Sequence, residues 1–195
     1  MSLCTSLAYC EIDSMTFTGQ NKSIPKSFNV DRNRTVGNYR LPEIFEGLAD
    51  SPAMVELIQD HEERNHILNE TVIDLIDSEG YMYVEQSDGR LVLGTQYLRE
   101  ASEQFLYLDA IHELVHIKQF REGANLYDSR FSYVDRPTEI EAYKLTVKEA
   151  RRLGMSDSEI ADYLLVDWIT RKERDKLARR LGVRIEARGR KEAHR

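Results

Sequence analysis

One pentapeptide constrains this chain more than any other feature: His112-Glu113-Leu114-Val115-His116, inside the run from Phe105 to Phe120. Apolar residues at Phe105, Leu106, Leu108, Ile111, Leu114, Val115, Ile117 and Phe120 surround it. They fall on several faces of any helix drawn through the run, so the stretch reads as a buried helix. Side chains four apart share a helix face, so both imidazoles point the same way. Ionisable groups inside such a helix need partners, and a metal supplies one. Two neutral imidazoles at this spacing can hold one Zn²⁺ at about 2.0–2.1 Å each. Glu113, directly after the first histidine, then stands where a carboxylate reaches a water on the metal rather than the metal itself.

The rest of the composition sets limits on this reading. With 195 residues, 41% of them hydrophobic and 31% charged, the chain can bury a core as a soluble globular protein. No run approaches the roughly 20 apolar residues of a membrane span. The N-terminal residues lack the basic and apolar regions of a signal peptide. Cys4 and Cys10 then read as reduced thiols, and the expected location is cytoplasmic, away from membranes. The net charge of −7 is unevenly spread. Residues 171–195 hold eleven Lys/Arg against four Asp/Glu, whereas residues 1–170 hold sixteen against thirty. Such a basic tail folds back on the acidic body or attracts an acidic partner, nucleic acid included.

Read in order, residues 1–40 form an irregular N-terminal segment. A core follows over residues 41–154, and residues 155–195 form a C-terminal helical extension with the basic tail. Pro42 suits the first turn of a helix carrying Ile44, Phe45 and Leu48. A second helix starts near Ser51-Pro52, and helical pattern is read on through Ile67, Leu68, Val72, Ile73, Leu75 and Ile76 to a stop at Gly80. His61 and His66 are five apart, about 140° round a helix, and are discounted as a metal pair. Tyr81–Gln86 and Arg90–Gly94 flank Ser87-Asp88-Gly89, a hairpin signal. Its edge could take an extended peptide by strand addition. The long helix is expected to begin around Leu98–Ser102 and to close near Arg121–Gly123, with Gly123 as its cap. Thr138 is read as the cap of a second long helix, Glu139–Leu153, stopped by Gly154. Ser156 and Thr170, each with a glutamate three residues on, open two further helices.

A catalytic zinc site needs a third protein ligand. The second long helix offers Glu139 and Glu141, which lie about 200° apart and cannot both face the ion. One arrangement is excluded: the HExxHxxGxxH pattern needs glycine and histidine where this chain has Gln119 and Glu122. HELVH followed by Glu-x-Glu-Ala resembles the gluzincin peptidases, including the minimal single-domain ones, and is similar to the ImmA/IrrE-type peptidases. The resemblance covers roughly Tyr81 to Leu153. It implies a zincin-like fold of the α+β class, mostly helical, with a short antiparallel hairpin sheet beside the HExxH helix and a glutamate helix. It also implies Glu139 rather than Glu141 as third ligand to Zn²⁺. Tyr143 departs from the family pattern, standing where Asp or Asn usually orients a histidine. Asp109, on the face of His112 and His116, could orient an imidazole instead.

The implied activity is zinc-dependent hydrolysis of peptide bonds in a peptide or protein substrate. Water is the nucleophile, Glu113 the general base, and His112, His116 and Glu139 hold the metal. Tyr127, Tyr133, Arg136 and Tyr143 are candidate donors to a forming oxyanion. The alternative is a zinc-containing regulatory or DNA-associated module with restricted or no proteolysis, which would use the basic C-terminal helices. A third reading is a latent enzyme whose first 40 residues occupy the cleft.

Overall fold

The long helix is positioned by the hairpin before it and by the helix that returns after it. A computed structural model describes residues 23–185. Its elements run β1 (Asn29–Val30), β2 (Gly37–Arg40), α1 (Leu41–Ile44), β3 (Phe45–Glu46), α2 (Pro52–Leu57) and α3 (His61–Glu70). Next come β4 (Val72–Ile76), β5 (Met82–Val84), β6 (Leu91–Gly94), α4 (Thr95–Glu100) and α5 (Glu103–Arg121). A 3₁₀ turn at Tyr133–Asp135 leads to α6 (Pro137–Arg152), α7 (Asp157–Tyr163) and α8 (Arg171–Arg180). The fold is α+β and mostly helical.

Four strands form the main sheet in the order β2-β4-β6-β5, and β1 pairs with β3 apart from them. The expected hairpin is present, with Met82 opposite Leu93 and Val84 opposite Leu91. Gly89 takes a φ of +74° in its turn, a conformation that favours glycine. The sheet is not wholly antiparallel, because β4 runs parallel to β6. That strand corrects the helical reading of Val72–Ile76. Val72, Ile73, Leu75 and Ile76 suit either period, but α3 stops at Thr71, whose N–H and hydroxyl both donate to the Ile67 carbonyl. Beyond it, Ile73 and Leu75 are buried within the core. The helix read at Leu41 is likewise short, giving way to β3 after one turn.

Helix α5 begins at Glu103 rather than earlier, because the Ser102 hydroxyl accepts from the Phe105 amide and α4 is a separate turn. It ends where Gly123 adopts a φ of +82° and Ala124 donates to the Gln119 carbonyl. Helix α6 starts one turn position ahead of the Thr138 cap, at Pro137, whose missing N–H costs a first turn nothing. The Thr138 hydroxyl instead donates to the Leu126 carbonyl and ties down the preceding loop. Ser156 and Thr170 form the expected capping boxes. Helix α6 returns antiparallel along α5, since Tyr107 meets Glu149 at one end and Gln119 meets Thr138 at the other. Ile160, Leu164, Leu177 and Val183 join the same buried cluster as Leu108, Ile111 and Leu93.

Among the described residues, no helix is long and apolar enough to cross a membrane. The described part of the basic segment is engaged with the acidic body. Lys176 and Arg180 pair with Asp135 at 2.6 and 3.3 Å, and Arg184 pairs with Asp157 at 2.8 Å. Cys4, Cys10, most of the segment read as irregular and the last ten residues lie outside the described residues.

Candidate metal centre

Helix α5 supplies two imidazoles on one face, and the first turn of α6 brings a carboxylate to meet them. His112 Nε2 lies 3.1 Å from His116 Nε2. Glu139 Oε2 lies 3.4 Å from the first and 3.5 Å from the second. All three residues are buried, and they could hold a metal ion. Glu141, two residues on, points outward to solvent and to Gln119. His61 and His66 are exposed on α3 and take no part.

The separations test whether an ion fits. Ligand atoms about 2.0–2.1 Å from a tetrahedral ion lie about 3.3–3.4 Å from one another. The three separations, 3.1, 3.4 and 3.5 Å, lie close to this spacing. At 3.4 and 3.5 Å the carboxylate is beyond ordinary hydrogen-bond reach of the imidazoles, and Glu139 Oε2 is a buried acceptor with no donor. A cation, a proton or a metal ion, would satisfy such an atom.

Gln119 fixes which imidazole nitrogen is available. Its amide nitrogen donates to the Thr138 carbonyl at 3.1 Å and to Glu141 at 2.8 Å. Its oxygen is therefore the acceptor facing His116 Nδ1 at 2.8 Å. His116 Nδ1 is thus the nitrogen that donates to Gln119, which leaves Nε2 as the one facing Glu139. With Nδ1 so occupied, Nε2 meets the carboxylate through a positive charge, either its own proton or a metal ion. The sequence reading took Gln119 only as the residue that excludes one zinc class. Its signal was its position, three residues after the second histidine on a buried helix.

His112 lacks such support. Its Nδ1 is buried without a partner, and the Tyr143 ring packs on the imidazole at 4.4 Å between centroids. The Tyr143 hydroxyl is shared with Tyr133 at 2.8 Å, not with His112. Asp109 orients neither histidine. It accepts from the Tyr97 hydroxyl and, at 2.7 Å, from the Tyr163 hydroxyl. Seven residues before His116 amounts to about 10.5 Å of helix, too far for contact despite the common face.

The electrostatics follow from this packing. Burial alone would raise the Glu139 carboxyl, but the imidazoles of His112 and His116 hold it well below the usual range. Burial pulls His112 down. It acts the same way on His116, yet Glu139 and Glu113 outweigh it and lift that imidazole to about 9. The negative field that favours a proton there would also favour a metal ion. Burial pushes Glu113 up to about 8, with Glu139 and Asp109 adding to it and His116 and the Val84 amide opposing. Of the candidate donors, Tyr127 gives its hydroxyl to the Val84 carbonyl at 2.5 Å. Arg136 reaches Glu139 Oε1 at 3.3 Å. Tyr133 and Tyr143 line the pocket beside His112 and Glu113.

No protein-family model, curated protein or solved structure matches the chain.

Proposed function

We propose that this protein is a zinc-dependent peptide hydrolase of the gluzincin type, with His112, His116 and Glu139 as ligands and Glu113 as general base. The observation that carries the reading is the convergence of three buried ligand atoms at near-tetrahedral separations beside a second buried acid, Glu113, on the helix of the two histidines. When bound, zinc supplies Lewis acidity, which polarises a carbonyl and acidifies water. Glu113 takes a proton onto its carboxylate and returns it to the leaving amine. Its raised pKa suits both directions of transfer near neutral pH. Tyr133 and Tyr143 share one hydrogen bond between two hydroxyls, so one hydroxyl proton remains to stabilise developing negative charge.

Strand β5 is the open edge of the sheet. Glu85 donates to the Arg90 carbonyl and Gly94 donates to that of Tyr81, so Met82 and Val84 turn their main-chain groups outward. Val84 is already engaged by Glu113 and Tyr127. Met82 is thus the position at which an extended peptide would first pair. Reduced cysteines and a cytoplasmic setting accompany this reading.

The test uses the full chain loaded with zinc and an unfolded protein such as casein. Glu113→Gln should lose about 10²–10⁴-fold in hydrolysis while keeping its metal. Equal hydrolysis by wild type and variant would sink the proposal.

A further inference from the structure

The pocket beside His112 and Glu113 has a character that peptide hydrolysis alone does not require. It is a cavity of about 180 Å³ that His112 and Glu113 border. That is smaller than the roughly 300–1,000 Å³ that encloses a drug-sized ligand, and suits one long side chain. Its walls are a run of rings. Tyr81 stands edge-on to Tyr97 at 5.1 Å and to Trp168 at 5.8 Å, and Trp168 stands edge-on to Tyr133 at 5.6 Å. Phe105 and Tyr163 pack together at 5.5 Å and also line the cavity, with Met82, Leu165 and Val166.

Asp109 lies against this aromatic wall. Although it sits mid-helix among apolar neighbours, part of its surface stays accessible, and it lines the cavity. Each of its oxygens accepts one tyrosine hydroxyl, from Tyr97 and from Tyr163, which leaves further lone-pair capacity. Asp162 adds a second carboxylate at the rim, partly offset by Arg174 at 3.8 Å. Among the described residues, no lysine or arginine lines the cavity. Aromatic rings and a carboxylate lining one cavity can form a receptor for a cation. Holding two tyrosines together does not need a buried charge, because hydroxyls can bond to each other.

We propose that this pocket binds a lysine or arginine side chain of the substrate, with Asp109 as the residue that determines specificity. The peptide part of the claim rests on the hydrolase reading, while the cation part rests on the pocket.

Trp168 is the single tryptophan of the chain and stands in the pocket wall, so its fluorescence reports occupancy directly. The zinc-loaded full chain is titrated at pH 7.5 with N-acetyl-lysinamide and with its uncharged counterpart N-acetyl-norleucinamide. The lysine probe should give a saturable change at least about tenfold tighter than norleucine. Asp109→Asn should remove that margin and leave the norleucine response alone. Asp162→Asn, exposed at the rim, should weaken lysine about two- to threefold; this second variant keeps the test open if the first fails to fold. Equal responses to the two probes, or no response, overturn the proposal. Cleavage of a degenerate peptide library separates the two claims. Hydrolysis with no enrichment of Lys or Arg beside the cut overturns the pocket and leaves the hydrolase reading standing. Lysine binding that Asp109→Asn abolishes, with no peptide cut, upholds the pocket and removes the hydrolase reading.

Discussion

Helices α5 and α6 enclose two buried polar clusters, one toward each end of their contact, and the two differ in completeness. At one end Tyr107 donates to Glu149 at 2.6 Å, and Arg152 clasps the same carboxylate at 2.9 and 2.6 Å. Every buried polar atom of that trio has a partner. At the other end His112, His116 and Glu139 converge and leave buried polar atoms unpaired. Of four buried side-chain atoms lacking a hydrogen bond among the described residues, three belong to this end: His112 Nδ1, Glu139 Oε2 and Arg136 Nε. The same pair of helices thus builds a closed cluster that serves cohesion and an open one that could hold a metal ion. Unmet polar groups are costly, and proteins retain them where function needs them.

The largest effect that would break this comparison is on stability with and without metal. Chelation should lower the unfolding free energy of wild type by about 4 kcal/mol relative to zinc at a thousand times its Kd. Thermal or denaturant unfolding checks this, and Glu139→Ala should show almost no response. Next, Glu149→Ala should cost about 3 kcal/mol, because it leaves Arg152 and the Tyr107 hydroxyl unpaired. Its zinc content should not change. An Ala at 149 that is neutral in stability would mean the closed cluster is not cohesive.

Asp109 sharpens the contrast through pH. Burial raises its carboxyl from 3.8 to about 6, with the tyrosine hydroxyls opposing. The native state then binds more protons than the unfolded chain between about pH 4 and 6, so its share of stability falls as pH rises through that window. The loss amounts to about 2–3 kcal/mol. In chelated protein, Asp109→Asn should match wild type's offset below pH 4 and gain that amount on it by pH 7. A parallel pair of curves would contradict the burial of this charge.

Gln119→Leu frees the His116 proton to either nitrogen and should weaken zinc binding about 10–100-fold, read by competition with a chromophoric chelator. Smallest of all, Tyr127→Phe releases the Val84 carbonyl on the open strand edge. It should lower KM for an extended peptide by a few-fold, within the roughly 1 kcal/mol of one hydrogen bond, without changing the metal content.

Much of this arrangement was legible in residue order, for reasons that differ by element. The Asp88-Gly89 turn, the Gly123 and Gly154 stops and the capping boxes at Ser156 and Thr170 are local chemistry, complete within four residues. Strand β4 was not legible, because Val72-Ile-Asp-Leu-Ile76 fits both periods and its partner β6 is about twenty residues away. The converging trio His112, His116 and Glu139 could be listed from spacing and resemblance. Gln119 and the tyrosine-bound state of Asp109 could not, since their roles depend on what α6, α4 and α7 bring to them. Periodicity places a side chain on a face, but tertiary packing decides what stands opposite.

The most direct measurement is bound zinc after dialysis, for wild type, Glu139→Ala and Glu141→Ala, each confirmed folded. Wild type and Glu141→Ala should each hold about one ion per chain, and Glu139→Ala should lose most of it. If all three stay metal-free when refolded in zinc, or if Glu141→Ala alone loses the ion, the central claim is contradicted.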